Sequence, residues 1–279
     1  MLRPAHPPLA EMLAVERVGE GEFVTTLADY GGGSFGGDTL ARLVLAAART
    51  CEGREIHSLH SYFLRPAPAG VPIAIRVEGL KEGRRLAHRR VELSHDGRLL
   101  CEMTASFTSL GEGIAFQDAT SDPVPPPEDL PSEADRARAE GWSDWAPGPL
   151  EWRWVGSPFE PVKPDEPSHW SGWVRPAAPL PADPALHFAA LAFLSDFFSH
   201  WAIARRLAFD PAPTWLVSLD HAIWAHRPVR WDEWWLVRTT SDVCHAGRAL
   251  TRREVFARDG RLLASVAQEA LVTDPAERS

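Results

Sequence analysis

From Glu55 to Phe107 the chain carries four runs, EIHSLHSYFL, VPIAIRVEGL, RRLAHRRVELS and RLLCEMTASF, in which apolar side chains recur at close to every second position. That period belongs to strands with one buried face. Asp96-Gly97 lies between the last two runs, and Asp259-Gly260 lies between two similar runs near the carboxyl end. Asp-Gly between alternating segments marks a hairpin. A further strand candidate covers Leu13 to Leu27. Two stretches follow the helical period instead. One runs from Gly37 to about Arg49. The other, DPALHFAALAFLSDFFSHW, opens with Asp183 as a plausible N-cap and Pro184 at the first helical position, and stays apolar almost all round, as a buried helix does. Each half of the chain therefore reads as one buried helix followed by four antiparallel strands that wrap it.

Prolines divide the pattern. Seven fall between Asp122 and Pro149, and eight more between Pro158 and Pro184; at that density neither helix interiors nor central strands persist. The division expected is an amino-terminal domain over 1–116, a proline-rich linker over 117–149 and a carboxyl-terminal domain over 150–279. The two halves also resemble each other. Arg65-Pro66 pairs with Arg227-Pro228 at an offset of 227 − 65 = 162, and Asp96-Gly97 with Asp259-Gly260 at 259 − 96 = 163. Two copies are too few for a solenoid and imply a duplicated domain.

The stretch DYGGGSFGGD contains Gly31, Gly33 and Gly36 in the G-x-G-x-x-G spacing of a dinucleotide site. That site needs strands and helices in alternation around a parallel sheet, which a single helix followed by a hairpin-linked meander does not supply. The match is read as accidental. Composition narrows the class further: 29 Lys+Arg against 38 Asp+Glu give a net charge of −9, which argues against a nucleic-acid partner. Cys51, Cys101 and Cys244 lie too far apart for a zinc spacing, and read as reduced thiols. MLRPAHPPLAEML lacks the apolar core of a secretory signal, and no stretch is read as reaching the roughly 20 apolar residues of a membrane span. The expected location is the cytoplasm, with no membrane partner.

At FGGDTLARLVLAAART, IHSLHSYFLRP, EMTASF, LSDFF, SLDHAIWAHRP and DGRLLASVAQEAL the chain resembles the bacterial acyl-CoA thioesterase II, or TesB-type, family, in register over both halves. The resemblance implies an α+β tandem (double) hotdog fold, each half an antiparallel sheet wrapped around one long helix. It implies hydrolysis of fatty acyl-CoA to free fatty acid and CoA with no cofactor and no metal. Carried over by position, the catalytic residues are Asp196 in LSDFF, Ser218 in SLDHAIW and Gln268 in AQEAL. Two positions depart from the family pattern: Ser218 stands where Thr is usual, and Asp38 where the first helix usually has Gln.

These residue types suit the chemistry. Thioester hydrolysis needs a water aimed at the carbonyl carbon and a group to take its proton. Asp196 lies among apolar neighbours on a helix expected to be buried, where a carboxylate calls for partners; Ser218 and Gln268 are neutral groups able to hold both it and a water. Their repeat counterparts are Ile56 (218 − 162) and Ala105 (268 − 163), so one site per chain is expected. Gly36, Gly37, Asp38 and His60 are the candidate substrate-binding residues, the glycines because a bare helix start lets a ligand oxygen approach unpaired N–H groups. Asp196 and His200 have the i, i+4 spacing of a hydrogen-bonded pair. His57 and His60, and likewise His221 and His226, are expected on opposite strand faces. Of Arg84, Arg85, Arg89, Arg90, Arg252 and Arg253, most are expected in solvent. All 12 tryptophans lie from Trp142 onward and are read as core. A homodimer or homotetramer is expected, because hotdog sheets leave edges and one face to cover. The competing reading is a hotdog protein that binds acyl-thioesters without turnover; a hydratase is disfavoured, since the Asn-Pro that follows its Asp is missing.

Overall fold

The computed structural model describes residues 7–30, 33–109, 111, 113–121, 123–141, 148–157, 160–163, 165–207 and 215–273. Gly31 of the glycine-rich stretch lies outside them. The amino-terminal half opens with a short helix α1 (Leu9–Met12) and a hairpin of β1 (Glu16–Gly19) and β2 (Glu22–Thr26). The expected single strand over Leu13 to Leu27 is thus split, at a turn where Gly21 takes φ +66°, a conformation open to glycine without a steric penalty. Then come α2 (Gly36–Ala48), β3 (Glu55–Phe63), β4 (Pro72–Glu82), β5 (Leu86–His95) and β6 (Arg98–Thr108). A single 3-10 turn (Pro127–Asp129) and α3 (Glu133–Glu140) follow.

The carboxyl-terminal half runs β7 (Leu150–Val155), β8 (His169–Pro176), α4 (Pro184–Asp196), α5 (Trp201–Leu207), β9 (Trp215–Ser218), β10 (Asp220–Ala225), β11 (Trp235–His245), β12 (Arg248–Ala257) and β13 (Leu262–Thr273). Among the described residues the strands form one antiparallel sheet in the order β1-β2-β4-β5-β6-β3-β10-β13-β12-β11-β8-β7, with β9 also paired to β13. The halves join at β3 and β10, in register from Ser58↔Trp224 to Tyr62↔Asp220. The sheet curls around α2 and α4, which pack on each other in its hollow.

The two Asp-Gly hairpins explain the drift in repeat offset. Asp96 and Gly97 both take positive φ, 49° and 72°, the two-residue turn that Asp-Gly favours. In the second half Ala257 N–H bonds to Arg261 O, so the loop holds residues 258–260 and only Gly260 is left-handed. Before the turn the paired strands superpose at 256 − 94 = 162, after it at 262 − 99 = 163.

α4 buries every residue from Leu186 to Asp196. Taken with α5 it is long and apolar enough to cross a membrane by length and composition, yet 78% of that window is buried inside the fold; the sequence reading, which found no such run, missed it. Close packing of the two helices depends on Gly37, where a Cβ would come within 2.5 Å of the Phe193 carbonyl oxygen.

Candidate active site

α4 stops at Asp196, although the pattern FLSDFFSHW carries no breaker. Phe197 leaves the helix at ψ 122°, and Phe198 takes φ +56°, a left-handed conformation that costs a bulky residue on the order of 1 to 2 kcal/mol. Tertiary contacts hold it there. Phe198 packs edge-on against Trp154 with centroids 4.9 Å apart, and Phe197 lies 5.5 Å from Phe35. From β12, Arg253 reaches the end of α4: its Nη1 donates to the carbonyls of Leu194 (2.7 Å) and Ser195 (3.0 Å), Nη2 to that of Phe197 (2.8 Å), and Nε to Thr239 Oγ1 (2.9 Å). These carbonyls close the helix, where intrahelical partners run out and the dipole favours a cation. Burial lowers the Arg253 pKa to about 9, and Asp196 pulls the other way. It is a cation at neutral pH.

Of the six arginines, four are not buried, in line with the expectation that most lie in solvent, and two are exceptions. Arg253 and Arg89 are buried, and Arg89 makes the corresponding contact with the Thr50 carbonyl just past α2, at 2.8 Å. Strand alternation told that Arg252 and Arg253 face opposite sides; the register needed to say which one faces in was not readable.

The Asp196 carboxylate is held at both oxygens. Oδ2 accepts from the backbone N–H of Gly37 at 2.8 Å, across from α2, and Oδ1 accepts from Gln268 Nε2 at 2.7 Å. Ser199 Oγ stands 3.5 Å from Oδ1. Gln268 Nε2 also donates to Ser218 Oγ at 2.6 Å. The three residues meet, with Gln268 in the middle, and Ser218 joins Asp196 only through that amide. Gln268 Oε1 is buried without a protein partner, and the Ser218 oxygen already accepts, so its hydrogen is available to a third group. Gly36 borders the carboxylate: a Cβ there would lie 2.7 Å from Asp196 Oδ2 and 3.2 Å from the Phe63 ring. The helix start that faces Asp196 is therefore that of α2.

Two of the residues expected to bind substrate stand elsewhere. Asp38 sits on the next face of α2, fully buried; its Oδ1 accepts from Arg42 Nε at 2.8 Å and its Oδ2 from Ala28 N–H at 3.1 Å. Arg42 in turn donates to the carbonyls of Met12 and Ala14, so the pair ties the amino-terminal segment to the helix. The i, i+4 spacing of Asp38 and Arg42 was a readable signal for this. Burial raises the Asp38 pKa, against the pull of Arg42. His60 lies on the outer face of the sheet, edge-on to Trp224 at 5.5 Å, with the sheet between it and Asp196. His57 shares that outer face, contrary to alternation, because the register shifts between Ile56 and Ser58 and brings its Nε2 within 2.9 Å of Ser106 Oγ. A bulge of this kind inserts one residue and breaks the two-residue count. The described residues contain no cluster of three or more His, Cys, Asp or Glu placed to hold a metal.

Nor do Asp196 and His200 form the expected i, i+4 pair, since the helix breaks between them. Behind the site, His221 Nε2 lies 2.8 Å from Ser195 Oγ. This serine and histidine have the spacing of a nucleophile and its base, but they are 1% and 0% exposed and out of reach of substrate. Burial lowers the pKa of His221 to about 4 and lowers that of His200 as well. Both stay neutral at pH 7. In the unfolded chain a histidine titrates near 6.5, so the unfolded state binds more protons between pH 6.5 and 4. Stability is fully present above that window and falls as pH drops through it, by on the order of 3 kcal/mol for His221. Denaturant unfolding at pH 7 and pH 5 should show the loss, and His221→Gln should flatten it.

Known protein families match the two parts of the chain separately. The sequence model of the acyl-CoA thioesterase C-terminal domain matches residues 122–272, and that of the acyl-CoA thioesterase N-terminal domain matches 25–109. Acyl-CoA thioesterase 2 of Haemophilus influenzae is 29% identical over 253 residues, spanning 85% of this chain and 87% of that protein. Human acyl-coenzyme A thioesterase 8 is 26% identical over 261 residues, with 85% and 80% covered. Among solved structures, the acyl-CoA thioesterase II TesB2 of Mycobacterium marinum superposes with a TM-score of 0.81 at 31% identity, over 96% of this chain and 99% of that one. A hot dog fold protein of Alicyclobacillus acidocaldarius superposes at 0.78 with 24% identity, over 96% and 98%.

Proposed function

The chain belongs to the acyl-CoA thioesterase family and has the tandem hotdog fold, and from that premise we propose that it hydrolyses fatty acyl-CoA to free fatty acid and CoA, with Asp196 as the general base. The observation that carries this reading is the carboxylate held between the start of α2 and Gln268, with Ser218 on the far side of the same amide. A water in that space would meet three complementary groups: the Ser218 hydroxyl donates to its oxygen, and Gln268 Oε1 and the Asp196 carboxylate accept its hydrogens. Asp196 takes the proton as the water oxygen attacks the thioester carbon. It returns the proton to the departing CoA sulfur, which restores the carboxylate.

Arg253 supports the base from behind without contacting it. Its hydrogen bonds fix the helix end that aims the carboxylate. Gly37 N–H is engaged by Asp196, so the role left to Gly36 is to keep the approach to the carboxylate clear. Gly36→Ala should then lower turnover by about tenfold or more through a displaced carboxylate, while thermal unfolding changes little. Circular dichroism alongside the rate separates the two effects.

The reading as a whole is tested by mixing the protein with acyl-CoAs of graded chain length and following free thiol. Release of thiol that saturates with substrate is the expected result. No release, together with saturable protection against heat by the same acyl-CoAs, would establish the binding protein instead.

A further inference from the structure

The duplication places a second pocket where the catalytic site has its counterpart. α2 and α4 are each 13 residues long and align at 184 − 36 = 148, so Gly36 and Gly37 correspond to Pro184 and Ala185, and Asp196 to Ala48 (196 − 148). Strand register makes Ser218 the counterpart of Ile56, because Ser218↔Ala270 matches Ile56↔Phe107 at offsets of 162 and 163. Phe63, which borders Gly36, corresponds to Ala225 (63 + 162), and Arg65 to Arg227. A cavity of about 200 Å³ lies among these counterparts, lined by Ala48, Ile56, Pro184, Ala185, Ala225 and Arg227.

The substitutions change what such a cavity can hold. Where the first site has a carboxylate and a hydroxyl, this one has Ala48 and Ile56, so neither the position of the base nor that of its hydroxyl partner carries a polar group. Where the first has the Phe63 ring, this one has the small Ala225, which leaves room. The rim carries charge. Arg54 is paired with Glu82, and Glu55 with Arg230. Arg227 meets only the neutral amide oxygen of Gln117, and its Nε is buried without a partner. No carboxylate among the described residues pairs with it. The pocket thus joins an apolar floor to one uncompensated guanidinium, a combination suited to a short apolar chain ending in an anion.

We propose that the cavity among Ala48, Ile56, Ala185, Ala225 and Arg227 is a second, non-hydrolytic site that binds the carboxylate of a short- to medium-chain fatty acid, with Arg227 on the carboxylate and the chain on the apolar floor. A volume of about 200 Å³ is smaller than the roughly 300–1,000 Å³ of drug-sized sites, which sets the short chain. The cavity and its charge stand on the structure alone; the choice of a fatty carboxylate rests on the hydrolytic reading, whose product it is.

Octanoate is the probe. Calorimetric titration of the full chain should show saturable binding. Arg227→Gln should weaken it by roughly tenfold, the loss of one charge-assisted contact, and octanol should bind weakly for the same reason. Ala225→Phe, which puts back the ring of the counterpart position, should abolish binding, with folding checked by circular dichroism; Arg227→Gln decides the matter if that variant does not fold. Gly36→Ala should leave octanoate binding unchanged. Absence of saturable binding, binding undiminished in Arg227→Gln, or binding lost in Gly36→Ala would each overturn the proposal. Thiol release from octanoyl-CoA by the unmodified protein, measured on the same sample, tests the hydrolytic reading separately.

Discussion

Asp196→Asn should reduce acyl-CoA hydrolysis by roughly 10²- to 10⁴-fold, the range associated with a positioned general base, while the fold survives. The isostere keeps an oxygen that can accept from Gly37 N–H, so the contact between α2 and the end of α4 persists. Its other atom becomes an NH₂ group facing Gln268 Nε2, 2.7 Å from the oxygen it replaces. Two donors cannot share that distance. Gln268 must turn its amide, presenting Oε1 to the new NH₂ and breaking its donation to Ser218. The variant therefore loses the base and the acceptor for water together. Steady-state rates with one acyl-CoA, set beside an unchanged circular dichroism spectrum, check the prediction; turnover within threefold of the parent would remove Asp196 from the proposed role.

Arg253→Leu should cost about 3–5 kcal/mol of stability, as removal of a buried, fully bonded charge does. The guanidinium donates to three carbonyls and one hydroxyl; with leucine the Leu194 carbonyl would keep only the Phe197 N–H, and the Ser195 and Phe197 carbonyls and the Thr239 hydroxyl would lose the guanidinium. The left-handed turn at Phe198 would lose its anchor at the same time. Arg253→Lys should recover only part of the loss, since an ammonium keeps the charge but not the planar fork. Urea unfolding of the three proteins gives the order directly, and a leucine variant within 1 kcal/mol of the parent would contradict it.

Much of this architecture was legible before any coordinates. Alternation located β3 to β6, and the Asp-Gly pairs located two hairpins. The one-residue drift between repeats was legible as a length difference, but its place, the longer loop at 258–260, was not. The family resemblance names Asp196, Ser218 and Gln268 by position, and the fold links Asp196 and Ser218 through the Gln268 amide between them. What escaped the sequence depended on register or on tertiary contact. The inward turn of Arg253 needed the pairing of β12 with β13, and the outward turn of His57 needed the bulge in β3. The helix break at Phe197 follows from Arg253 and the surrounding aromatic rings rather than from any local breaker. Asp38 stands beside Gly37 in the sequence, but the partner that holds its carboxylate lies four residues later at Arg42.

The seam between β3 and β10 also has a bearing on how the chain comes to be folded. Ser58 pairs with Trp224, a partner 224 − 58 = 166 residues further along. At about 5–20 residues per second the ribosome delivers it on the order of 10 s after β3 has emerged. Throughout that interval the nascent amino-terminal half exposes one open strand edge, with the unsatisfied N–H and C=O groups that recruit foreign strands. That interval is therefore a stage at which the newly made protein is open to aggregation through this edge.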